Sequence, residues 1–124
     1  MFIQQPFDQF LDLEYERINE SRVKVNLPIK PLYINSLGVV HGGIISTLAD
    51  VAMCNTIEPD EENQQKVVTV DLNVTFLKGA REQKHLIAFA DLIKRGRTLS
   101  HAECLIYDEA DNLIAKAKTT LFNN

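Results

Sequence analysis

Gly38-Val39-Val40-His41-Gly42-Gly43, and the apolar run behind it from Ile44 to Ile57, decide how this chain folds. The run reads as one long helix, entered through a histidine and two glycines. Ile44, Ile45, Leu48, Ala49, Val51, Ala52, Met53 and Ile57 cover nearly every side of it. A helix that is apolar all round is a buried one. Asp50 interrupts it, and an unpaired buried carboxylate is costly enough to need a reason. Thr47, Asp50 and Cys54 share one face, a narrow polar stripe suited to lining a cleft. The glycine-led start leaves backbone N–H groups without intrahelical partners. Those donors, at the positive end of the helix dipole, favour a negatively charged oxygen.

Helix geometry sets a second condition. His41 and Asp50 are nine residues apart. At about 100° and ~1.5 Å per residue, that is roughly half a turn out of phase and ~13 Å along the axis. A catalytic base must come within ~3 Å of its target. Asp50 therefore cannot serve an atom held at the Gly42 N–H of its own helix. Either the two features are unrelated, or a second copy of the chain supplies the missing half.

Outward from the helix the pattern is mostly that of strands. Pro6 to Leu11 starts with a proline suited to the first turn of a short helix. Leu13, Tyr15 and Arg17, and then Val23, Val25 and Leu27, alternate with polar residues, the period of half-buried strands. Pro28 and Pro31 end the second, and Lys30 to Leu37 is a loop that contains Asn35. The helix stops before Pro59. Beyond the acidic connection Asp60 to Gln65, Val68, Val70, Leu72, Val74 and Phe76 alternate with Thr69, Asp71, Asn73 and Thr75, which assigns the apolar set to the core. Gly79 to Glu82 turns the chain. Leu86 to Leu92, Leu99 to Tyr107 and Leu113 to Phe122 read as further strands, separated by turns at Lys94-Arg95-Gly96-Arg97 and Asp108 to Asn112. Short turns between long strands imply antiparallel neighbours. One helix among such strands makes an α+β domain, a curled antiparallel sheet wrapped around the helix.

Length and composition bound the rest. The chain has 124 residues, a single-domain length, with 45% hydrophobic and 24% charged residues and a net charge of −4. That charge argues against general affinity for nucleic acid or anionic membranes. Met1 to Pro6 has neither the basic start nor the apolar core of a signal peptide, and no run approaches the ~20 apolar residues of a membrane span. Cys54 and Cys104 are too few for a disulfide framework and fit a reducing cytoplasm, each as a small buried hydrophobe. His85 and His101 lack metal-ligand spacing. No P-loop, dinucleotide fingerprint or other cofactor motif appears. An isolated His-Gly-Gly is most often a tight turn with a helix cap, and Thr69 alone is an ordinary strand threonine. Lys94, Arg95 and Arg97 fit a solvated tip or a phosphate site equally well.

The joint pattern says more than its parts. Asn35-x-x-Gly38-x-x-His41-Gly42-Gly43, then Asp50 in the helix, then Val68-Thr69-Val70-Asp71-Leu72-Asn73, resembles the hotdog-fold acyl-CoA thioesterases. More narrowly it looks like the phenylacetate-pathway (PaaI-type) branch. The resemblance runs from about Asn35 to the C-terminus. It implies a hotdog domain over residues 1–124, with about five to six strands curled round the central helix. Dimers joined edge to edge would place their sites between subunits, and they often pair into tetramers. By position it implies that the Gly42 N–H, helped by Asn35, holds the thioester oxygen and that His41 positions or polarises that region. Asp50 of the neighbouring chain would activate water or attack as a nucleophile, and Thr69 would orient the water or the acid. Gly43 and the basic turn Lys94, Arg95, Gly96 and Arg97 fall to substrate binding, the turn by its charge toward coenzyme A phosphates.

The expected reaction is hydrolysis of an acyl-CoA to free acid and coenzyme A, with no cofactor. A non-catalytic acyl-CoA-binding module is the first alternative. Such regulators carry a DNA-binding segment, none precedes residue 12, and pure binding does not need a buried acid. A hotdog dehydratase acting on hydroxyacyl thioesters is the second.

Overall fold

The computed structural model describes Phe2, residues 5–81 and residues 84–124. Met1, Ile3, Gln4, Glu82 and Gln83 lie outside the described residues, and with them part of the stretch read for a signal peptide and the end of the Gly79 to Glu82 turn. The elements in chain order are α1 (Pro6–Phe10), β1 (Glu14–Arg17), β2 (Arg22–Pro28), a 3₁₀ turn (Pro31–Tyr33), α2 (Gly42–Cys54), β3 (Val67–Phe76), β4 (His85–Arg95), β5 (Leu99–Asp108) and β6 (Leu113–Asn123). The strands form one six-stranded sheet in the order β1-β2-β4-β5-β6-β3, antiparallel at every step. Helix α2 packs against five of its strands. This α+β arrangement is the hotdog fold.

The sheet order corrects one inference from the turns. β3 and β4 follow one another in the chain, yet β3 pairs with β6 and β4 with β2. The connection is long enough to make this possible. Strands three steps apart are separated by roughly 14 Å, and residues 77–84 can span ~26 Å when extended. The consequence is that β3 is an outer edge of the sheet.

The helix is also less enclosed than its apolar run implied. Ile45, Leu48, Ala49, Ala52 and Met53 are buried. Their spacing is that of a single stripe facing one layer. Val23, Val25 and Leu27 of β2, Leu86, Ala88 and Ala90 of β4, and Ala102, Cys104 and Ile106 of β5 complete the core against it. Ile44, Val51 and Cys54, on the remaining sides, are only half-buried. Arg17 closes the far end of the helix by donating from Nη2 to the Asn55 carbonyl at 2.6 Å, where a cation suits the exposed carbonyls.

β3 departs from strict alternation. Val68 and Val70 are 52% and 61% exposed, not buried, while Val67 is buried and Thr69 is half-buried. Thr69 opposes Leu121 and Asp71 opposes Thr120, so Val70 is an extra, unpaired residue. This β-bulge resets the phase. Leu72 and Val74, beyond it, pack against the core as the alternation implied, while Phe76 is half-exposed.

Candidate active site

The mouth of α2 is built by its preceding loop. Asn35 Oδ1 accepts from the Leu37 N–H at 2.9 Å and the Val39 N–H at 3.2 Å. The Gly38 N–H closes on the Asn35 carbonyl at 3.0 Å, and Gly38 sits at φ +77, a conformation that favours glycine. Arg81 braces the same loop, with Nη1 donating to the Leu37 carbonyl at 3.3 Å. Asn35 is thus first of all a loop-holding residue, and only its Nδ2 remains to meet a ligand.

His41 is the residue before the first helical turn, and its side chain caps nothing. Its backbone N–H donates to the Tyr33 carbonyl at 2.8 Å, and its carbonyl accepts from Ile44 and Ile45 at 3.0 and 3.2 Å. The Gly42 and Gly43 amides find no acceptor among the described residues. Two unpaired donors at a helix N-terminus form a seat for a negatively charged oxygen. The Phe76 ring lies across Gly42, where an added Cβ would come 3.0 Å from Cζ. A Cβ at Gly43 would meet nothing within 4 Å, so Gly43 keeps the mouth open on its other side.

Asp50 stands near the other end of the helix and is not unpaired. Thr69 Oγ1 donates to Asp50 Oδ1 at 2.7 Å. Cys54 Sγ lies 3.8 Å from the same oxygen and 3.4 Å from Thr69 Oγ1. Asp50 Oδ2 has no protein partner among the described residues. The bulge at Val70 is what turns Thr69 toward the helix. Thr47, the third residue of the expected polar stripe, donates instead to the Gly43 carbonyl at 2.9 Å. Burial, first of all, pushes the Cys54 thiol up to about 11; the Thr69 contact opposes the shift and the Asp50 charge adds to it.

The chain therefore brings Asp50 and Thr69 together and holds Gly42, His41 and Asn35 together, in two separate groups. Lys94, Arg95 and Arg97 form an exposed tip between β4 and β5, without ion pairs among the described residues. Arg95 opposes Ser100, Ser100 opposes Leu121, and Leu121 opposes Thr69. The tip therefore shares the Asp50 end of the sheet, about 14 Å across the strands from Thr69. Gly96 is required by the turn itself. An added Cβ would overlap the Leu99 carbonyl oxygen, and Asn123 Nδ2 donates to the Gly96 carbonyl at 2.8 Å.

The other titratable groups have local duties. His85 Nδ1 meets Asn26 Nδ2 at 3.0 Å, and exposed His101 meets Thr120 Oγ1 at 3.4 Å. A groove of about 420 Å³ lined by Asn73, Glu103, Leu105 and Lys118 holds none of the expected site residues. Sequence reasoning missed Cys54 as a partner of Asp50, Phe76 as the cover of Gly42, and Arg81 as the brace of the loop. Only the first had a signal, the i, i+4 spacing of Asp50 and Cys54.

Residues 37–115 match the family model of the Thioesterase superfamily. The chain belongs to the thioesterase superfamily. Among its superfamily relatives, the medium/long-chain acyl-CoA thioesterase YigI of Salmonella typhimurium is 28% identical over 97% of this chain and 87% of its own length. The crystal structure of zebrafish thioesterase superfamily member 2 is 27% identical and superposes with a TM-score of 0.83 over 98% of this chain and 88% of that one. The Escherichia coli PaaI protein, 18% identical, has the same fold, with a TM-score of 0.85 over 97% and 85% of the two chains.

Proposed function

We propose that this superfamily member is an acyl-CoA thioesterase, hydrolysing acyl-CoA to a carboxylic acid and coenzyme A at sites shared by two copies of the chain. The observation that carries the chemistry is the 2.7 Å bond from Thr69 to Asp50 Oδ1, on the helix whose Gly42 and Gly43 amides have no acceptor among the described residues. The name of the Salmonella relative supports the substrate class. The PaaI fold accords with the phenylacetate-type branch.

The fold supports the shared site through β3. Thr69, at one end of this strand, holds Asp50, and Phe76, at the other end, covers Gly42. β3 is an open edge with exposed Val68 and Val70. An open edge of this length invites a partner strand. Two-fold pairing of β3 with its copy runs the strands antiparallel. An axis between Leu72 and Asn73 sets Thr69 opposite the partner's Phe76. The acid of one chain then faces the amide seat of the other, which answers the ~13 Å separation along one helix.

In this reading the thioester oxygen sits on the Gly42 and Gly43 amides, with Asn35 Nδ2 and His41 beside them. Such preorganised donors lower the barrier by meeting charge as it develops. Thr69 orients the acid by occupying Oδ1, and Oδ2 either takes a proton from a water whose oxygen attacks the thioester carbon, or attacks that carbon itself to give an anhydride that water then cleaves. The C–S bond breaks, and the thiolate leaves without a strong acid because thiols have a pKa near ~8.5. Lys94, Arg95 and Arg97 take the phosphates of coenzyme A. Two free thiols suit a reducing cytoplasm; among the described residues no helix is long and apolar enough to cross a membrane.

The test is a panel of aliphatic and aromatic acyl-CoAs with a thiol-reactive dye. Free thiol should appear in step with carboxylic acid. Tight binding without thiol release would make the chain a binding module. Dehydration of a hydroxyacyl thioester without thiol release would make it a dehydratase.

A further inference from the structure

We infer that Cys54 is a positioning residue, whose thiol donates to Thr69 Oγ1 and so holds that hydroxyl's only proton on Asp50 Oδ1. The inference rests on the hydrolase reading for what Asp50 does, but its geometry is independent of it. Thr69 has one proton, and the 2.7 Å contact to Asp50 Oδ1 commits it there, since a carboxylate can only accept. The Thr69 oxygen, 3.4 Å from Cys54 Sγ, is then left as an acceptor. The sulfur also lies 3.8 Å from Asp50 Oδ1. With both neighbours accepting, the thiol is the donor, and the shorter of its two contacts, 3.4 Å to Thr69 Oγ1 against 3.8 Å to Asp50 Oδ1, gives the order Cys54 S–H to Thr69 O–H to Asp50.

The thiol is suited to remain a donor. Its pKa is pushed up to about 11, first by burial and then by the Asp50 charge, so it stays protonated at neutral pH. The opposing pull from Thr69 counts only when the hydroxyl turns to the sulfur, which would give up the Asp50 bond. Fixing the hydroxyl rotor fixes one carboxylate oxygen and leaves Oδ2 for chemistry. A base that must be held within a narrow geometry loses rate when its support is loosened. Cys54 also packs against Ile57, Val67 and Leu121, so filling space is the competing explanation.

Three substitutions separate the two roles. Cys54→Ser keeps a donor, Cys54→Val fills the space without one, and Cys54→Ala does neither. If Cys54 positions, Cys54→Ser retains kcat within about twofold, while Cys54→Val and Cys54→Ala each lose about five- to tenfold with KM unchanged, the scale of one supporting hydrogen bond. Near-normal kcat in Cys54→Val with a loss in Cys54→Ser would assign the residue to packing and overturn the inference. A second readout does not use turnover. Iodoacetamide labelling of Cys54 at pH 8, followed by peptide mass, should run severalfold faster in Asp50→Asn, where the carboxylate no longer favours the protonated thiol. An unchanged labelling rate overturns the inference. A wild-type protein that releases no thiol from any acyl-CoA would defeat the hydrolase reading, and the labelling ratio would still decide whether Cys54 and Asp50 are coupled.

Discussion

Two inactive chains should make an active enzyme when they are mixed. Asp50→Asn damages the acid side of each site. The amide still offers an oxygen to Thr69 Oγ1, now 2.7 Å from Asp50 Oδ1, so the fold and the helix contact persist. Only the base or nucleophile is lost, a cost on the order of 10²-fold or more in kcat. Asn35→Ala damages the other side. It removes Nδ2 as a donor and also the acceptor that holds the Leu37 and Val39 amides, so the Gly42 mouth loses its bracing. Each variant alone should be nearly inactive. In a mixed pair, one site joins an intact Asp50 to an intact Asn35, and its mate carries both lesions, as two-fold symmetry requires. Random re-pairing makes about half the pairs mixed, each with one good site of two, so activity should return to roughly a quarter of wild type. The assay is thiol release after co-refolding equal amounts, with exchange verified by a tag on one variant. If the tagged chains mix and activity stays at the single-variant level, each site lies within one chain. The edge-pairing argument from Thr69 and Phe76 would then be wrong.

Replacing Lys94, Arg95 and Arg97 with Ala should raise KM for acyl-CoA more than it lowers kcat, because phosphate contacts act equally in ground and transition states. The effect should shrink at high salt, since the tip is exposed; an unchanged KM at low salt would reduce it to a solvated turn. Gly96→Ala should lower the urea midpoint by an amount corresponding to about 1–3 kcal/mol, because its Cβ overlaps the backbone oxygen of Leu99, which cannot swing aside. An unshifted midpoint would mean that the tip relaxes freely. Stability should also fall above pH 9. Burial, the leading cause, pushes Cys54 up to about 11 and Cys104 up to about 12 from the ordinary 9.0. The unfolded chain therefore loses those protons first, and stability present below pH 9 drains away as pH rises toward the folded values, by up to ~1.4 kcal/mol per pH unit for each thiol. Urea midpoints between pH 8 and 10.5 check the slope, and a Cys104→Ser variant should show a shallower one.

The sequence alone determined the local chemistry. A glycine-led helix start after His41 leaves amides without intrahelical acceptors, because no earlier turn supplies carbonyls to the first one. The period of two in β2, β4 and β5 marked strands, because alternate side chains must face opposite sides. The distance between Gly42 and Asp50 follows from helix rise, and by itself it raises the question of a second chain. What only the tertiary structure decided depends on residues far apart in the chain. That β3 leaves β4 and pairs with β6 follows from closing the sheet around the helix, and no turn motif encodes it. The bulge at Val70 is a mismatch against Leu121 and Thr120, so it exists only once β6 is alongside. It reverses which face of β3 carries Thr69, and by doing so brings Thr69 to Asp50. Cys54 shares a helix face with Asp50 in any reading of the sequence. Its hydroxyl partner comes from the next strand, and only the packing of α2 on β3 puts the three atoms together.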